Sequence, residues 1–194
     1  MTEVTNRGEQ RTAVTIRRAQ LGDAVAIAEL HGRSFLATYP GLLRTREATL
    51  RGSDERNALW TRRLQEPGMG SETFVAHTDQ RLRGFLYTGP TADSDDIPWH
   101  TGQVYSIHVD PSSQGAGIGS ELLAAGIAFQ LAAGVEDVTL WVVDFNLGAR
   151  KFYEAHGFRL DGAQRTEVLA LGVGDGDQVD VLRYRRRLGA GGNL

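Results

Sequence analysis

The sequence predicts an α/β (α+β) fold, in which a mixed, mostly antiparallel sheet of about six or seven strands is flanked by about four helices. Helical periodicity dominates the first third, strand-like runs joined by short turns follow, and a strand-helix-strand unit occupies the centre. The resulting order is β-α-α-β-β-β-α-β-α-β-β. Turn-connected strands pair antiparallel and a strand-helix-strand crossover pairs parallel, so this order excludes a doubly wound parallel sheet.

The first part of the chain reads as one strand and two helices. Residues 14–18 predict a short strand, and Asp23 is placed to cap a helix that runs to about Ala37. A second helix is predicted over 46–65, where Pro67 and the glycine after it end the pattern. Its apolar side is formed by Leu59, Trp60 and Leu64.

The rest of the chain reads as strands interrupted by two helices. Strands are predicted at 73–77, 82–87, 104–109, 138–143, 158–169 and 179–188, and helices at 117–133 and 146–156. Short polar turns at 79–81 and 172–177 join two of the strand pairs. The apolar face of the first of these helices contains Leu122, Leu123, Ile127 and Leu131. Gly157 suits a left-handed cap after the second.

Composition narrows the class of protein. With 194 residues, we expect a single domain over 13–188, between a flexible N-terminus at 1–12 and a flexible tail at 189–194. The absence of cysteine excludes disulfides and a cysteine nucleophile, and the five histidines are too scattered for a metal site. A net charge of −3 disfavours nucleic acid as a partner. No apolar run reaches membrane-spanning length, so we expect a cytoplasmic protein without a membrane partner.

A glycine-rich turn at 114–119 joins a predicted strand to a predicted helix. Glycine lets backbone amides approach a ligand closely, and the first amides of a helix have no internal partner, so the turn predicts a phosphate or pyrophosphate cradle. A nucleotide-hydrolase loop would need a Gly-Lys-Ser/Thr ending, and a dinucleotide fingerprint would need Gly-x-Gly-x-x-Gly early in the chain. Both fit poorly, and the glycines alone leave open a loop without a ligand.

Two motifs together resemble the GNAT N-acetyltransferase superfamily. Gln114-Gly115-Ala116-Gly117-Ile118-Gly119 is similar to its pyrophosphate-binding motif, Gln/Arg-x-x-Gly-x-Gly/Ala. Residues 146–158 match every fixed position of its later pattern, Asn-x-x-Ala-x-x-Phe-Tyr-x-x-x-Gly-Phe. The element order agrees as well, so the resemblance covers about 14–188. It implies a GNAT fold with splayed central strands and acetyl-coenzyme A (acetyl-CoA) as co-substrate, without a metal.

The resemblance also implies which residues bind the cofactor. The backbone of the strand before the turn would follow the pantetheine arm, the amides of the turn would wrap the pyrophosphate, and the Ser120 hydroxyl would add a hydrogen bond. Asn146 and Arg150 are further candidates at the second motif. The cofactor-binding set is Ile107, His108, Val109, Gln114, Gly115, Ala116, Gly117, Ile118, Gly119, Ser120, Asn146, Arg150 and Tyr153.

Tyr153 falls at the family's general-acid position. Amide formation from a thioester passes through a tetrahedral intermediate, and a tyrosine that is protonated at neutral pH can donate a proton to the leaving thiolate. Phe152 is expected to be a core aromatic. The general base stays open, because the strand at 104–109 contains no carboxylate. Tyr105 falls where some relatives carry a catalytic side chain, His108 is a second candidate, and a water chain is a third.

The acceptor side is less specified. In the family it lies between the first two helices and the loops before the glycine-turn strand, which implies substrate-binding roles for Phe35, Tyr39 and Trp99. An acidic run at 93–96 would attract a protonated amine, or it is a solvated loop. The resemblance implies acetyl transfer to a primary amine of a small molecule or a peptide N-terminus. A non-catalytic coenzyme A-binding regulatory module, a larger acyl group and a homodimer all stay open.

Overall fold

The computed structural model describes residues 13–40, 46–78, 81–169 and 177–189, with only the backbone of 46–52. The predicted N-terminus at 1–12 lies outside these ranges, and so do most of the predicted tail and most of the two turns at 79–81 and 172–177. No helix in the described part of the chain is both long and apolar enough to cross a membrane.

The elements follow the predicted order, which confirms the fold class. The strands and helices are β1 (Thr15–Arg18), α1 (Ala24–Thr38), α2 (Arg46–Gln65), β2 (Glu72–Thr78), β3 (Arg81–Pro90), β4 (Thr101–Val109), α3 (Ile118–Ala132), β5 (Asp137–Val143), α4 (Leu147–Ala155), β6 (Arg159–Leu169) and β7 (Asp177–Arg187). Gly157, with φ of 82°, provides the left-handed cap predicted after α4.

The seven strands form one sheet in the order β1-β2-β3-β4-β5-β7-β6. Only the β4–β5 pair is parallel, because α3 provides the crossover between them, and the other pairs are antiparallel. Alternation along β2 and β3 assigns the two faces: Val75 and Phe85 pack with α1 and α2, whereas Ala76 and Leu86 pack with α3 and α4.

The sheet opens between β4 and β5. β4 pairs with β3 from Gly102 to Val109, but it pairs with β5 only over Thr101–Gln103. The backbone of β4 beyond Gln103 therefore has no strand partner on its β5 side. Gln130 of α3 supports the paired end, because its buried amide donates to Thr88 Oγ1 at 2.8 Å and to the Gly89 carbonyl at 3.0 Å.

A β-bulge in β4 lies just beyond this opening. Tyr87 of β3 pairs with Ser106 and Thr88 pairs with Val104, so Tyr105 is the additional residue. Simple alternation predicts that Tyr105 shares a face with Ile107 and that His108 points the other way. The bulge changes this arrangement: Tyr105 and His108 both lie on the α1–α2 face, where they stack on Tyr87 and Phe85, and Ile107 packs against the opposite core.

Two local predictions are wrong. Asp23 precedes α1, but its side chain makes no capping hydrogen bond to that helix. Its carboxylate accepts hydrogen bonds from the Arg17 guanidinium and the Gln20 amide, which fix the turn before the helix.

Leu131 was expected on the apolar face of α3, yet it is 52% exposed, while Gln130 beside it is 1% exposed. Gln130 takes the buried position because its side-chain amide bonds Thr88 and Gly89 of β3.

The acidic run at 93–96 is neutralised by arginines of the sheet, so it does not form a free anionic surface for an amine. Arg183 of β7 is 5% exposed and contacts Asp93, Asp95 and Asp161, with donor–acceptor distances between 2.7 and 3.4 Å. Trp141 Nε1 also donates to Asp93, at 3.0 Å. We name this set the arginine–aspartate network; its members are Asp93, Asp95, Asp96, Asp161, Arg165, Arg183 and Arg185.

We expect Arg183→Met to destabilise the protein by about 3 kcal/mol, because breaking a buried ion pair leaves its partner carboxylates desolvated without a cation. Urea unfolding of the purified variant measures this loss. Arg18→Met is the matched control, since the Arg18 side chain is 67% exposed and its ion pair with Glu72 is on the surface. Equal unfolding midpoints for the two variants would contradict the structural role of Arg183.

Candidate active site

The glycine-rich turn lies at the C-terminal end of β4 and starts α3. Gly115 and Gly117 have φ of 79° and 87°, a region that L side chains rarely adopt. A Cβ at either position would meet no atom within 4 Å, so open space surrounds the turn. Gly119 differs, because a Cβ there would lie 3.4 Å from the Phe152 ring, and its role is close packing of α3 on α4.

The backbone amides of this turn are available to an anion. Among the residues that the structure describes, none accepts a hydrogen bond from the amides of 114–119, whereas the Ser120 and Glu121 amides donate to the Gly117 carbonyl. The N-terminal end of α3 adds the positive end of its macrodipole. Free amides, positive-φ glycines and open space together fit a phosphate or pyrophosphate group.

Asp110 fixes how the chain enters this turn. Its carboxylate accepts hydrogen bonds from the Ser112 amide at 3.0 Å and the Ser112 hydroxyl at 2.6 Å, and it pairs with Arg33 of α1 at 3.3 Å. These hydrogen bonds, the Ser112 hydroxyl first, hold the pKa of the Asp110 carboxyl below its usual range. The aspartate of the Val-Asp-Pro segment therefore orders the loop before the glycines.

The Ser120 hydroxyl is held by α4. His156 Nε2 lies 2.9 Å from Ser120 Oγ, and His156 Nδ1 lies 2.7 Å from the Phe152 carbonyl. A carbonyl only accepts, so in the neutral ring Nδ1 carries the proton and Nε2 accepts the hydrogen bond from Ser120. The Ser120 amide donates to the Gly117 carbonyl at 3.0 Å, and a bond from the Ser120 hydroxyl to phosphate stays a prediction.

Three of the predicted residues lie near one another beside the β4–β5 opening: Asn146 and Tyr153 of the second motif, and Tyr39, which follows α1. Asn146 caps α4 by accepting from the Ala149 amide at 3.1 Å, and its side-chain amide donates to the Tyr39 hydroxyl at 3.0 Å. Tyr153 is 8% exposed. Burial, and then the nearby Tyr39, raise the pKa of the Tyr153 phenol, so this group is fully protonated at neutral pH.

The Arg150 guanidinium already has hydrogen-bond partners within the protein. Its Nη1 donates to the Asp144 carboxylate at 2.7 Å and to the Asp144 carbonyl at 3.0 Å, and its Nε donates to the Tyr184 hydroxyl at 3.1 Å. Those contacts tie α4 to the end of β5 and to β7. A phosphate contact from Arg150 stays a prediction, and it would have to compete with these three hydrogen bonds.

Neither candidate on β4 has the properties of a general base. The Tyr105 hydroxyl donates to the Pro90 carbonyl at 2.5 Å, and burial raises the pKa of its phenol. His108 stacks on Phe85 with ring centres 5.1 Å apart, and its Nδ1 lies 3.1 Å from Ser34 Oγ. Burial lowers the pKa of His108 to about 4, which makes it a weak base at neutral pH.

The three residues expected to bind the acceptor do not form one group. Phe35 and Tyr39 pack edge to face with ring centres 5.1 Å apart. Phe35 is buried, and its ring packs against that of Tyr39. Trp99 is 73% exposed on the β3–β4 loop, where its ring contacts His100. Their substrate roles stay predictions.

The structure adds four residues at the α1–α2 face of β4 that the sequence prediction missed. His31 and Trp60 pack against Phe85 and His108, Arg63 stacks over Trp60 and Tyr87, and Ser106 lies in the bulge. A signal existed for two of them: His31 and Arg63 interrupt the apolar stripes of α1 and α2 at helical spacing. Ser106 offered none, because only the bulge turns it to this face.

In a comparison with protein families, residues 34–158 match the model described as the acetyltransferase (GNAT) family. Among curated proteins, mycothiol acetyltransferase from Thermobispora bispora is 36% identical over 98 residues, 50% of this chain and 33% of the relative. Mycothiol acetyltransferase from Thermomonospora curvata is 34% identical over 152 residues, 75% of this chain and 44% of the relative. The chain thus spans less than half of each of these relatives.

Solved structures share the fold. Residues covering 94% of this chain superpose on 98% of yncA from Salmonella typhimurium, a structure with its cofactor acetyl-CoA, at a TM-score of 0.67 and 24% identity. The paia N-acetyltransferase from Thermoplasma acidophilum, solved with coenzyme A, gives a TM-score of 0.66 at 17% identity, covering 90% of this chain and 99% of the other. At these identities the likeness establishes the fold.

The buried histidines predict a pH-dependent stability. Burial lowers the pKa of His31 to about 3 and that of His108 to about 4, against an ordinary value of 6.5. Below about pH 6.5 these two histidines are protonated in the unfolded chain but stay neutral in the folded protein. The free energy of unfolding therefore falls as the pH drops from 6.5 to 4. His108 contributes on the order of 2–3 kcal/mol to this fall.

Urea unfolding of His108→Asn across this pH range tests the effect, because asparagine keeps a polar group near Ser34 and does not titrate. We expect a shallower loss of stability than in the unmodified protein. His100→Asn should follow the unmodified protein, since the His100 side chain is 54% exposed. Identical pH slopes for all three proteins would show that His108 is not held neutral by burial.

Proposed function

This chain belongs to the acetyltransferase (GNAT) family, and we propose that it transfers an acetyl group from acetyl-CoA directly to a primary amine. The proposal rests on one observation. Beyond Gln103 the β5-side edge of β4 is unpaired, and the chain continues from this strand to the free amides of the glycine-rich turn. A long ligand with amide groups at one end and a pyrophosphate at the other matches this sequence of donors and acceptors.

Two parts of the site fit two different parts of coenzyme A. Beyond Gln103, β4 has no strand partner on its β5 side, so the backbone N–H and C=O groups of the stretch from Ile107 to Val109 that are not bonded to β3 are free to bond the amides of a pantetheine arm. The amides of 114–119 and the start of α3 fit its pyrophosphate. The solved relatives from Salmonella typhimurium and Thermoplasma acidophilum contain acetyl-CoA and coenzyme A, which supports the same ligand here.

In the proposed reaction the amine nitrogen forms a bond to the thioester carbonyl carbon, and the carbon–sulfur bond then breaks. Tyr153 supplies the proton that the leaving sulfur takes up, and it recovers a proton from solvent. The phenol is protonated at neutral pH, and burial, which raises its pKa, favours that neutral form. Asn146 and Tyr39 fix the N-terminal end of α4 through their 3.0 Å hydrogen bond, and Tyr153 lies near the other end of the same helix.

The amine must lose one proton during the reaction. His108 and Tyr105 are unsuited to accept it, and both Asp93 oxygens are already bonded by Trp141, Arg165 and Arg183. We therefore assign proton removal to water at the open side of the bulge, which agrees with the water-chain hypothesis from the sequence. The acceptor named for the curated relatives is not transferred, because this chain spans less than half of each.

A thiol-release assay tests the activity. Purified protein is mixed with acetyl-CoA and a panel of primary amines, and free coenzyme A thiol is measured with a chromogenic disulfide. Calorimetry measures coenzyme A binding separately. Acetyl transfer predicts binding and amine-dependent thiol release, with acetyl-CoA preferred over succinyl- and propionyl-CoA. Binding without thiol release for any amine would instead indicate a regulatory coenzyme A-binding module.

Gly117→Ala is expected to weaken coenzyme A binding about tenfold or more, because a Cβ at a positive φ strains the turn and displaces its amides. Gly134→Ala is the matched control: Gly134 also has positive φ, of 82°, and open space around it, but it lies after the far end of α3. Calorimetry should give similar affinities for Gly134→Ala and the unmodified protein. Equal losses in both variants would argue against the cradle.

Tyr153→Phe is expected to lower kcat about 100-fold while the Kd for coenzyme A changes little, because the substitution removes only the acidic hydroxyl. Tyr184→Phe is the matched control, since Tyr184 is also buried and its hydroxyl bonds Glu154 and Arg150 away from the opening. Steady-state kinetics distinguish the two variants. A kcat for Tyr153→Phe equal to that of Tyr184→Phe would remove the general-acid assignment.

A further inference from the structure

Arg63 of α2 is a partly buried cation without a counter-ion in the described part of the chain. Its guanidinium lies 4.5 Å from the centre of the Tyr87 ring and 5.0 Å from that of Trp60. No described residue accepts a hydrogen bond from it or forms an ion pair with it. Its electrostatic neighbours are two tyrosines, Tyr87 and Tyr105, and the cation of Arg62.

Three other buried or partly buried arginines pair with carboxylates. Arg17 binds the Asp23 carboxylate at 2.7 Å, Arg150 binds Asp144 at 2.7 Å, and Arg183 binds several carboxylates of the arginine–aspartate network. A guanidinium has five N–H donors, and leaving them desolvated without acceptors is unfavourable. Stacking on two rings satisfies the faces of the Arg63 guanidinium but leaves its edge free for a planar oxyanion.

The position of Arg63 relates it to the reaction. Tyr87, on which it stacks, also stacks on Tyr105 of the bulge, with ring centres 5.4 Å apart. The bulge starts where β4 separates from β5, which is where the proposed thioester end of acetyl-CoA would lie. The guanidinium therefore lies one aromatic ring away from the place where the amine would attack.

Two further polar atoms, one on β4 and one on α2, have no partner in the part of the chain that the structure describes. Ser106 Oγ in the bulge and Asn57 Oδ1 on α2 are both buried, and neither has a hydrogen-bond partner among the described residues. Buried polar atoms in folded proteins are rarely left unsatisfied, so atoms of this kind are candidates for contact with a ligand or with ordered water. Both are able to accept a hydrogen bond from an amine N–H.

We propose that the acceptor is an amine that also bears a carboxylate, and that Arg63 binds this carboxylate. The inference rests on the proposed acetyltransferase function and names the substrate class of the same site. The guanidinium edge receives the carboxylate, and the amine of the same molecule lies towards Ser106 at the bulge. A carboxylate matches the two-pronged donor geometry of arginine and would compensate the charge that the fold leaves unpaired.

Matched pairs of amines test the proposal in the thiol-release assay. Each pair differs only by the carboxylate: phenylalanine and phenethylamine, tryptophan and tryptamine, lysine and cadaverine. We expect kcat/KM to be about tenfold or more higher for the carboxylate member of at least one pair, as for a charge-assisted contact. Phosphoethanolamine against ethanolamine serves as a phosphate arm. A preference for the phosphate amine alone would overturn the carboxylate assignment.

Arg63→Met removes the cation and keeps an apolar side chain over the rings, so the preference within the pair should disappear through a higher KM. Arg63→Lys keeps the charge without the planar fork and should retain part of it. Arg62→Met is the control, because Arg62 is the exposed neighbour on α2, and it should keep the full preference. Unchanged coenzyme A affinity by calorimetry verifies that each variant is folded.

The outcomes separate this proposal from the proposed function. Equal thiol release with both members of every pair in the unmodified protein, which needs no variant, would overturn the role of Arg63 and leave the acetyltransferase activity standing. A preference that persists in Arg63→Met would overturn it as well. Coenzyme A binding without thiol release from any amine would count against the acetyltransferase activity itself, and with it the inference that depends on it.

Discussion

The separation of β4 from β5 is the constraint on which the rest of the site depends. A parallel pair that continued to the end of both strands would satisfy the backbone of β4 and leave nothing for a ligand to bond. Pairing stops after Gln103, and the buried Gln130 fixes the end that stays closed. The bulge at Tyr105 follows at once, and the glycine-rich turn ends the same strand. One strand thus presents three successive parts of the site.

Charge is distributed unevenly around this opening. On the β5–β7 side, the arginine–aspartate network is closed: carboxylates and guanidiniums compensate one another, and Trp141 completes the set. On the α2 side, the Arg63 guanidinium stacks on aromatic rings and has no described counter-ion. The first arrangement stabilises the fold, because its members already have partners. The second is where we propose that a ligand binds, because no described residue accepts a hydrogen bond from Arg63.

Burial separates the titratable groups of the site by role. It raises the pKa of Tyr153, which favours the protonated phenol, and it lowers the pKa of His108, which makes that imidazole a weak base near neutral pH. Both effects have the same cause, the cost of placing a charge in an apolar surrounding, and they act in opposite directions because phenol is neutral when protonated and imidazole is charged.

The sequence by itself determined the fold class and the family motifs, because periodicity and the Asn146 segment are local signals. It also predicted the phosphate cradle from the glycines of the turn. It could not determine which side chains share a face around Tyr105, since a bulge depends on pairing with β3. It misjudged Asp23, because the carboxylate bonds back to Arg17 and Gln20 and does not cap the helix. It misjudged the acidic run at 93–96, because the partners of that run, such as Arg183, are distant in the chain. That Arg63 has no counter-ion among the described residues is likewise a property of packing. Charges separated in sequence compensate one another only after folding, so only the tertiary structure decided which of them stay free.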